Sequence, residues 1–260
     1  MNLLEKTRKL SKLLQERDNA QYQDVANLMS EVIDANVYIV GNKGDVKGYS
    51  LRQDFKCRIA EEVFLANGSF PAEYVQFLMG VKETSANILH LNQNCTFRGN
   101  ENCQFAAKKT TVVPIFGNGE RLGTLVVAKP NSDFNDDDLV VAEYAATVLG
   151  VQILYEREAR VQEETRRKLM VQIAFSTLSY SELEAIHNIL GEVKESGQGL
   201  LVASKIADRV GLTRSVIVNA LRKFESADLI ETRSLGMKGT FIKLKMNISW
   251  RNLINIKRSV

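Results

Sequence analysis

The chain has 260 residues, of which 45% are hydrophobic and 25% charged, and this is the ordinary composition of a globular protein of about two domains. Only 3 prolines and 16 glycines exclude a collagen-like or low-complexity chain. The net charge of +3 hides a division, because residues 201–260 carry 12 lysines and arginines against 4 carboxylates, and the preceding 200 residues are acidic. A basic end on an acidic body predicts that this end meets a polyanion.

The sequence contains no run of 18 apolar residues and no secretory signal at its start, so we expect no transmembrane helix and no export. Cys57, Cys95 and Cys103 are odd in number and form no CxxC pair, which argues against a disulfide framework or a zinc site. This cysteine usage favours a reducing cytoplasm. His90 and His187 stand in no catalytic constellation, so we expect no enzyme, no cofactor and no metal.

The elements of the first half are predicted from hydrophobic periodicity. Leucines at helical spacing in the first 14 residues predict an amphipathic helix that packs on the body or on a partner subunit, with a membrane-surface helix as the alternative. Residues 22–48 predict a helix, a strand at 37–40 and then a turn. Two short helices are expected within 55–79, and a long loop with short strands within 83–103.

The clearest β pattern is TTVVPIFGNGERLGTLVVAK, in which two apolar runs flank a turn, and it predicts an antiparallel hairpin. Asn135 or Asp136 is expected to cap the helix that follows, because the acidic residues there suit the positive end of a helix dipole. The helical pattern continues to about Ser176, and its charged second half is typical of a solvated or inter-subunit helix. This order of elements resembles the GAF and PAS-like small-molecule sensors.

Three further helices are predicted near the C-terminus. Ser181 with Glu184 is expected to form a capping box at the start of the first. Gly211 ends the second helix (203–210), and Thr213 caps the third. Two helices joined by a short turn with glycine are typical of a helix-turn-helix. We therefore expect a sensor domain at 1–138, a linker helix at 139–176 and a DNA-binding domain at 177–260.

Two short strands around residues 235–238 predict a wing. The first residues of a recognition helix reach base edges, and Arg214 stands where an arginine can bind guanine in bidentate fashion. Lys205 and Lys238 suit phosphate contacts. The residues expected to contact DNA are Ala203, Ser204, Lys205, Thr213, Arg214, Ser215, Val216, Asn219, Arg222, Lys223 and Lys238.

Most apolar residues of this region are expected in the core, including Ile206, Ala207, Val210, Val216, Ile217, Ala220 and Leu221. The alternative is a basic helical domain that packs against protein.

The run ASKIADRVGLTRSVIVNALRKFESADLIETRSLGMKGT resembles the DNA-binding signature of the CodY family of nutrient-responsive repressors from low-GC Gram-positive bacteria. The similarity extends to LLEKTRKL, TTVVPI with GERLGTL, FNDDDL and LSYSELEAI. It implies an α+β protein with a GAF domain, a long helical linker and a winged helix-turn-helix. It also implies a homodimer that binds an AT-rich palindromic operator and represses genes of amino-acid metabolism and adaptation.

The same resemblance implies an effector site for isoleucine, valine or leucine. Arg58 matches the family's carboxylate-binding arginine, and the matching cage positions or their neighbours are Ile59, Phe70, Pro71, Tyr74 and Phe97. After that phenylalanine the family has Pro-Val where this chain has Arg98 and Gly99, which predicts a changed ligand or a weaker affinity. From the residues alone, the alternative is a surface arginine beside ordinary core aromatics.

Nucleotide binding is the weaker expectation. The sequence has no phosphate-binding loop of the GxxxxGK[ST] type. The resemblance places a GTP site at Asn42, Lys43, Gln152 and Arg157. Glutamine at position 152 is a poorer partner for the guanine donors than a glutamate, so the sequence argues against a GTP response. The alternatives to a CodY-like repressor are a metabolite-sensing protein-interaction module and a repressor with an altered or lost effector response.

Overall fold

The protein was analysed as a computed structural model, which describes residues 1–16, 22–89, 95, 97, 102, 103, 105, 107–193 and 198–245. It has two compact units, Met1–Glu158 and Ala159–Val260. The helices are α1 (Leu3–Glu16), α2 (Tyr22–Ile33), α3 (Arg58–Asn67), α4 (Ala72–Gly80), α5 (Asp136–Ser176), α6 (Tyr180–Val193), α7 (Ala203–Val210) and α8 (Arg214–Ser226). The strands are β1 (Asn36–Gly41), β2 (Val46–Ser50), β3 (Ser85–Leu89), β4 (Lys109–Gly117), β5 (Glu120–Lys129), β6 (Gln198–Leu201), β7 (Ile230–Ser234) and β8 (Thr240–Leu244).

An antiparallel sheet of five strands, in the order β2-β1-β5-β4-β3, forms the centre of the first unit. Successive side chains of a strand point to opposite faces. On β1, Val37 and Ile39 therefore enter one buried cluster, while Tyr38 and Val40 enter another. The sheet is covered on both faces, which explains why β1 reads as a continuous apolar run.

The β4–β5 hairpin confirms the prediction made from its two apolar runs. Asn118 and Gly119 connect the strands with φ values of 52° and 77°, the left-handed backbone that a two-residue hairpin turn requires. The predicted turn over 41–48 is wrong from Val46 onward, where the chain forms β2. This strand was missed because it is short, only partly buried and interrupted by Gly48.

One face of the sheet carries α1, α2 and α5. Leu10 of α1 is fully buried in the same cluster as Val141 and Leu149 of α5, so the N-terminal helix packs on the body as predicted. Asn135 caps α5, since its Oδ1 accepts a hydrogen bond of 2.9 Å from the N–H of Asp138. Within the described ranges, α5 is also the one helix long and apolar enough to cross a membrane. Val141 and Leu149 of this helix are fully buried against the sheet, as expected of a helix that packs on a protein core.

The second unit confirms the predicted helix-turn-helix. Gly211 ends α7 in the left-handed conformation, with φ of 67°. Helix α8 begins directly after Thr213, and β7 and β8 pair as a wing. The strand β6, which the sequence did not reveal, adds to the other edge of β8. These elements share one hydrophobic core, in which Phe224 and Ile217 of α8 are buried.

The predicted capping box of α6 is wrong by two residues. The helix starts at Tyr180, so its cap is Ser179 and the reciprocal partner is Glu182. The N–H of Ser179 donates to Glu182 Oε2 at 2.8 Å, and the N–H of Glu182 donates to Ser179 Oγ at 3.3 Å. The sequence Ser-Tyr-Ser-Glu-Leu-Glu contains both spacings, and the burial of Glu182 decides between them.

Candidate DNA-binding and effector sites

The start of α8 is the exposed end that a recognition helix needs. Thr213 takes the N-cap position without a side-chain capping bond, and its hydroxyl lies 2.8 Å from that of Ser215. Arg214 is exposed, and in the described part of the chain it has no carboxylate partner. Three polar side chains with unused hydrogen-bonding groups thus stand at the helix end that reads bases in helix-turn-helix proteins.

The remaining predicted DNA contacts fall into two groups. Ala203 and Val216 are half-buried, as expected of residues that also serve the core. Lys238 occupies the 3-10 turn at the wing tip. The predicted contacts that are exposed to solvent are Ser204, Lys205, Thr213, Arg214, Ser215, Asn219, Arg222 and Lys238.

Lys223 differs from this group, because its ammonium is engaged inside the protein. Its Nζ donates to Glu182 Oε2 at 2.7 Å and to the carbonyl oxygen of Thr177 at 2.8 Å. Thr177 directly follows α5, and a lysine near the C-terminus of a helix often donates to such a carbonyl. The structure therefore separates Lys223 from its neighbour Arg222, which is exposed.

On the face of the five-stranded sheet opposite α1, α2 and α5, an aromatic cluster is formed by Tyr38, Phe70, Tyr74 and Phe97. The ring centroids of Phe70 lie 5.8 Å from Tyr38, 5.4 Å from Tyr74 and 5.4 Å from Phe97. Three of these four residues were predicted as cage positions. Tyr38 was missed, although its alternation with Val37 and Ile39 along β1 points it to this face.

Two buried tyrosine hydroxyls, those of Tyr38 and Tyr74, are the uncharged polar groups of this cluster. Desolvation raises the pKa of Tyr38, helped by the nearby Cys57, and desolvation also raises the pKa of Tyr74. Both hydroxyls therefore stay protonated at physiological pH and can donate hydrogen bonds. An apolar wall with a few such donors is typical of a site for a small apolar ligand with a polar end.

Arg58 lies at the start of α3 and does not point into the aromatic cluster. Its side chain is 87% exposed and pairs with Glu62 at 3.5 Å. The adjacent Ile59 is half-buried, and Pro71 takes the N-cap position of α4 beside Phe70. Arg98 and Gly99, which the sequence placed at the edge of the site, lie outside the described residues.

Two of the four predicted nucleotide positions, Asn42 and Arg157, contact the start of β5. Asn42 Nδ2 donates to the carbonyl oxygen of Arg121 at 2.5 Å, and Arg157 Nη1 lies 3.4 Å from Glu120 Oε2. The Oδ1 of Asn42 is buried and accepts no hydrogen bond from the described residues. Gln152 donates to Glu156 at 3.5 Å, and Lys43 is exposed. The first residues of β5 therefore contact both Asn42 and Arg157, which are more than a hundred residues apart in sequence.

Asn87, which no sequence pattern marks as functional, connects β3 to Phe134, just before α5 begins. It adopts the left-handed region with φ of 55° at an irregularity of β3. Its side-chain amide donates to the carbonyl oxygen of Phe134 at 3.1 Å and accepts from the N–H of Phe134 at 2.7 Å. The neighbouring Ile88 packs against the cluster that contains Phe70, so Asn87 lies between the aromatic face and α5.

Comparison with known proteins identifies both units. The model of the CodY GAF-like domain matches residues 2–177, and the model of the CodY helix-turn-helix domain matches residues 197–255. The chain belongs to the CodY family. The global transcriptional regulator CodY of Clostridium perfringens is 51% identical over 244 residues, which cover 93% of this chain and 94% of that protein. The regulator of the same name from Lysinibacillus sphaericus is 50% identical over 246 residues, 94% of each chain.

Among solved structures, the GAF domain of the nutrient sensor CodY from Clostridium difficile is 34% identical. It covers 58% of this chain and 97% of its own length, with a TM-score of 0.41. The CodY helix-turn-helix model spans the whole of α7, α8 and the wing. The CodY GAF-like model spans the sheet, the aromatic cluster and all of α5.

Proposed function

We propose that this protein is a DNA-binding transcriptional regulator that uses the exposed start of α8 to read an operator. The observation that carries this function is the arrangement of Thr213, Arg214 and Ser215 on a winged helix in a basic C-terminal region. Arg214 offers guanine a bidentate donor pair, and the flanking hydroxyls suit base edges or phosphates. By its family, the protein is a regulator of transcription. We propose that it performs no catalysis and that it acts in the cytoplasm, where the chromosome lies.

The operator that we propose is an AT-rich palindrome read by a homodimer. Two-fold symmetric dimers bind two half-sites with matching symmetry. The first unit supports dimerisation, because α5 carries exposed apolar side chains at spacings of eleven and four residues, Val140, Val151 and Tyr155. This spacing puts them on one face of the helix, and Val151 and Tyr155 are 65% and 63% exposed. A second copy of the chain would cover this face.

The effector that we propose is a branched-chain amino acid, chiefly isoleucine, bound at the aromatic cluster. Its side chain would lie among Phe70, Tyr74 and Phe97, and its carboxylate would pair with Arg58. Arg58 would have to turn away from Glu62, and an exposed ion pair of this kind contributes only about 0–1 kcal/mol. Turning therefore costs little compared with binding the carboxylate.

Regulation would then proceed by a population shift. A ligand that binds better to one arrangement of the dimer shifts the equilibrium toward that arrangement. Asn87 offers the route, since it joins the aromatic face of the sheet to Phe134, directly before α5 begins. We infer that nutrient abundance favours the arrangement with higher operator affinity and represses genes of amino-acid metabolism. We propose no GTP response, because Gln152 stands where a carboxylate is needed to pair with guanine.

Operator binding should weaken steeply as the salt concentration rises. If about six phosphates are contacted, affinity is expected to fall about a thousandfold between about 50 and 200 mM salt. The measurement is a gel-shift series at several salt concentrations, with an AT-rich palindrome and a shuffled duplex of the same composition. An equal affinity for both duplexes at every salt concentration would exclude the repressor and favour a protein-interaction module.

Removal of the Arg58 guanidinium should abolish amino-acid binding. Titration calorimetry of the full chain with isoleucine, valine and leucine should give heats that disappear in Arg58→Ala. Lys56→Ala is the control, since Lys56 is also an exposed cation next to α3 and pairs with Glu61. Undiminished binding to Arg58→Ala would rule out the carboxylate role.

A further inference from the structure

The contacts of Lys223 connect the recognition helix to the end of α5. The ammonium lies between Glu182 Oε2 and the carbonyl oxygen of Thr177, at 2.7 and 2.8 Å. Thr177 follows the last residue of α5, and its own N–H donates to the carbonyl oxygen of Ile173. The lysine side chain therefore ties α8 to the turn between α5 and α6.

The carboxylate of Glu182 accepts hydrogen bonds from two elements, the start of α6 and the last turn of α8. Its side chain is 10% exposed, it receives the Lys223 ammonium, and its carboxylate caps Ser179 at 2.8 Å. The hydrogen bond from Lys223, together with that from Ser179, lowers the pKa of Glu182. Separation from Lys223 would leave the largely covered carboxylate of Glu182 without a counter-charge, which is unfavourable.

Packing strengthens the same connection. The residue after Lys223 is Phe224, whose ring meets that of Phe175 edge to face with centroids 5.2 Å apart. Val171 and Ala174 of α5 are buried in the same core. The last turns of α5 and the C-terminal half of α8 thus share an ionic contact and an aromatic contact.

The contact of Lys223 with Glu182 can control the position of Arg214 at the other end of α8. Arg214 is nine residues before Lys223, or about 14 Å along a helix axis. A tilt of about 10° at the Lys223 end would move Arg214 by about 2 Å, on the rise per residue of an α-helix. Functional side chains must be held to about 0.5 Å, so a loosened anchor would misplace the arginine.

We propose that Lys223 and Glu182 form a clamp that positions the recognition helix, and that Lys223 contacts no phosphate. The clamp is defined by these two residues with the Thr177 carbonyl. Lys223 is a positioning residue that acts through Arg214 and its neighbours. This inference rests on the proposed DNA-binding function, and it also makes the clamp the place where the end of α5 bears on the recognition helix.

Glu182→Gln tests the clamp, because the two roles of Lys223 predict opposite results. Glutamine keeps an oxygen that accepts from Ser179 in a capping box, but it carries no charge, so the ion pair with the ammonium is lost. If Lys223 positions α8, operator affinity should fall about tenfold, with unchanged binding to shuffled DNA. If Lys223 is a phosphate contact, the freed ammonium and the lost negative charge should tighten binding to both duplexes. Glu184→Gln, an exposed change of the same charge on α6, is the control and should do neither.

The salt dependence of operator binding gives the second readout. Lys223→Gln should lower operator affinity about as much as Glu182→Gln, with no change in the slope of log affinity against log salt. Arg222→Ala should lower the magnitude of this slope by about 0.9, the value for one lost phosphate contact. The double variant should be no worse than either single variant, because the two residues act as one unit.

Thermal melting of each variant distinguishes positioning from a loss of folded protein. Lys223→Arg should restore the operator preference, since a guanidinium can still reach Glu182. A slope reduced by about 0.9 in Lys223→Gln, or tighter binding by Glu182→Gln, would overturn the clamp. Failure of the unsubstituted protein to prefer the palindrome would instead overturn the proposed function, so the two failures are distinguishable.

Discussion

Arg214→Ala is expected to remove most of the preference of this protein for its operator. A bidentate arginine–guanine pair contributes about 1–3 kcal/mol of discrimination, so the affinity ratio between operator and shuffled DNA should fall about 5- to 150-fold. The fold should be unaffected, because Arg214 is exposed and makes no ion pair with any described residue. Competition gel shifts at fixed salt concentration measure this ratio directly.

Arg160→Ala is the matched control for Arg214→Ala. It removes the same charge from an exposed position on α5, so any general electrostatic effect on DNA binding should appear in both variants. An unchanged operator preference in Arg214→Ala would remove this residue from the recognition surface. The base-reading role would then have to lie with Ser215 or Asn219.

Asp138→Asn is expected to destabilise the sensor domain by about 3–5 kcal/mol, the usual cost of breaking a buried ion pair. Asp138 is 3% exposed, with Oδ1 at 2.9 Å from Lys6 Nζ and Oδ2 at 2.5 Å from Lys129 Nζ. The substitution leaves Lys129, itself 8% exposed, without a carboxylate. It also loosens α1 from the start of α5. Urea denaturation at neutral pH, followed by circular dichroism, measures the loss.

The pH dependence of this effect follows from the pKa of Asp138. Burial is the largest single influence and works to raise it, but the hydrogen bonds and charges of Lys129 and Lys6 together outweigh burial and lower it. Because the folded pKa lies below the unfolded value of about 3.9, the stabilisation is complete above that pH. It is lost as the pH falls through the folded pKa. The difference between the two proteins should therefore shrink in acid.

Asp137→Asn is the control for this experiment. Asp137 lies in the same first turn of α5 and is exposed, so its loss should cost well under 1 kcal/mol at any pH. Equal destabilisation by the two substitutions would show that the helix dipole, and not the pair of lysines, accounts for the effect of Asp138. A constant difference across the acid range would contradict the proposed linkage.

Much of the local structure could be predicted from the sequence, because it depends on residues that are neighbours in the chain. Gly211 after an apolar helical pattern predicts a helix end, and Asn118-Gly119 between two apolar runs predicts a hairpin. Even at this range the strand β2 and the true capping box at Ser179 were missed. At the capping box two local patterns compete, and the burial of Glu182 decides between them. The strand β2 is too short and too little buried to give a clear local pattern.

The candidate sites also differ in how far they depend on local sequence and on contacts between distant residues. The recognition helix could be predicted from local sequence, because the helix-turn-helix is one continuous segment whose exposed end follows from its periodicity. The sequence also shows that the basic charge collects at the C-terminal end, which is a matter of composition. The similarity of the whole chain then led to the family.

The partner of each long charged side chain depends on the folded arrangement of distant elements. Lys223 lies on a predicted DNA-binding helix, yet its ammonium bonds to Glu182 and Thr177, more than forty residues away. Arg58 lies beside the cage residues in sequence, yet its guanidinium faces solvent. A flexible charged side chain can reach several positions from one backbone site, and the charges and carbonyls brought near it by other elements select among them. Sequence periodicity specifies the backbone site, while the fold specifies the neighbour.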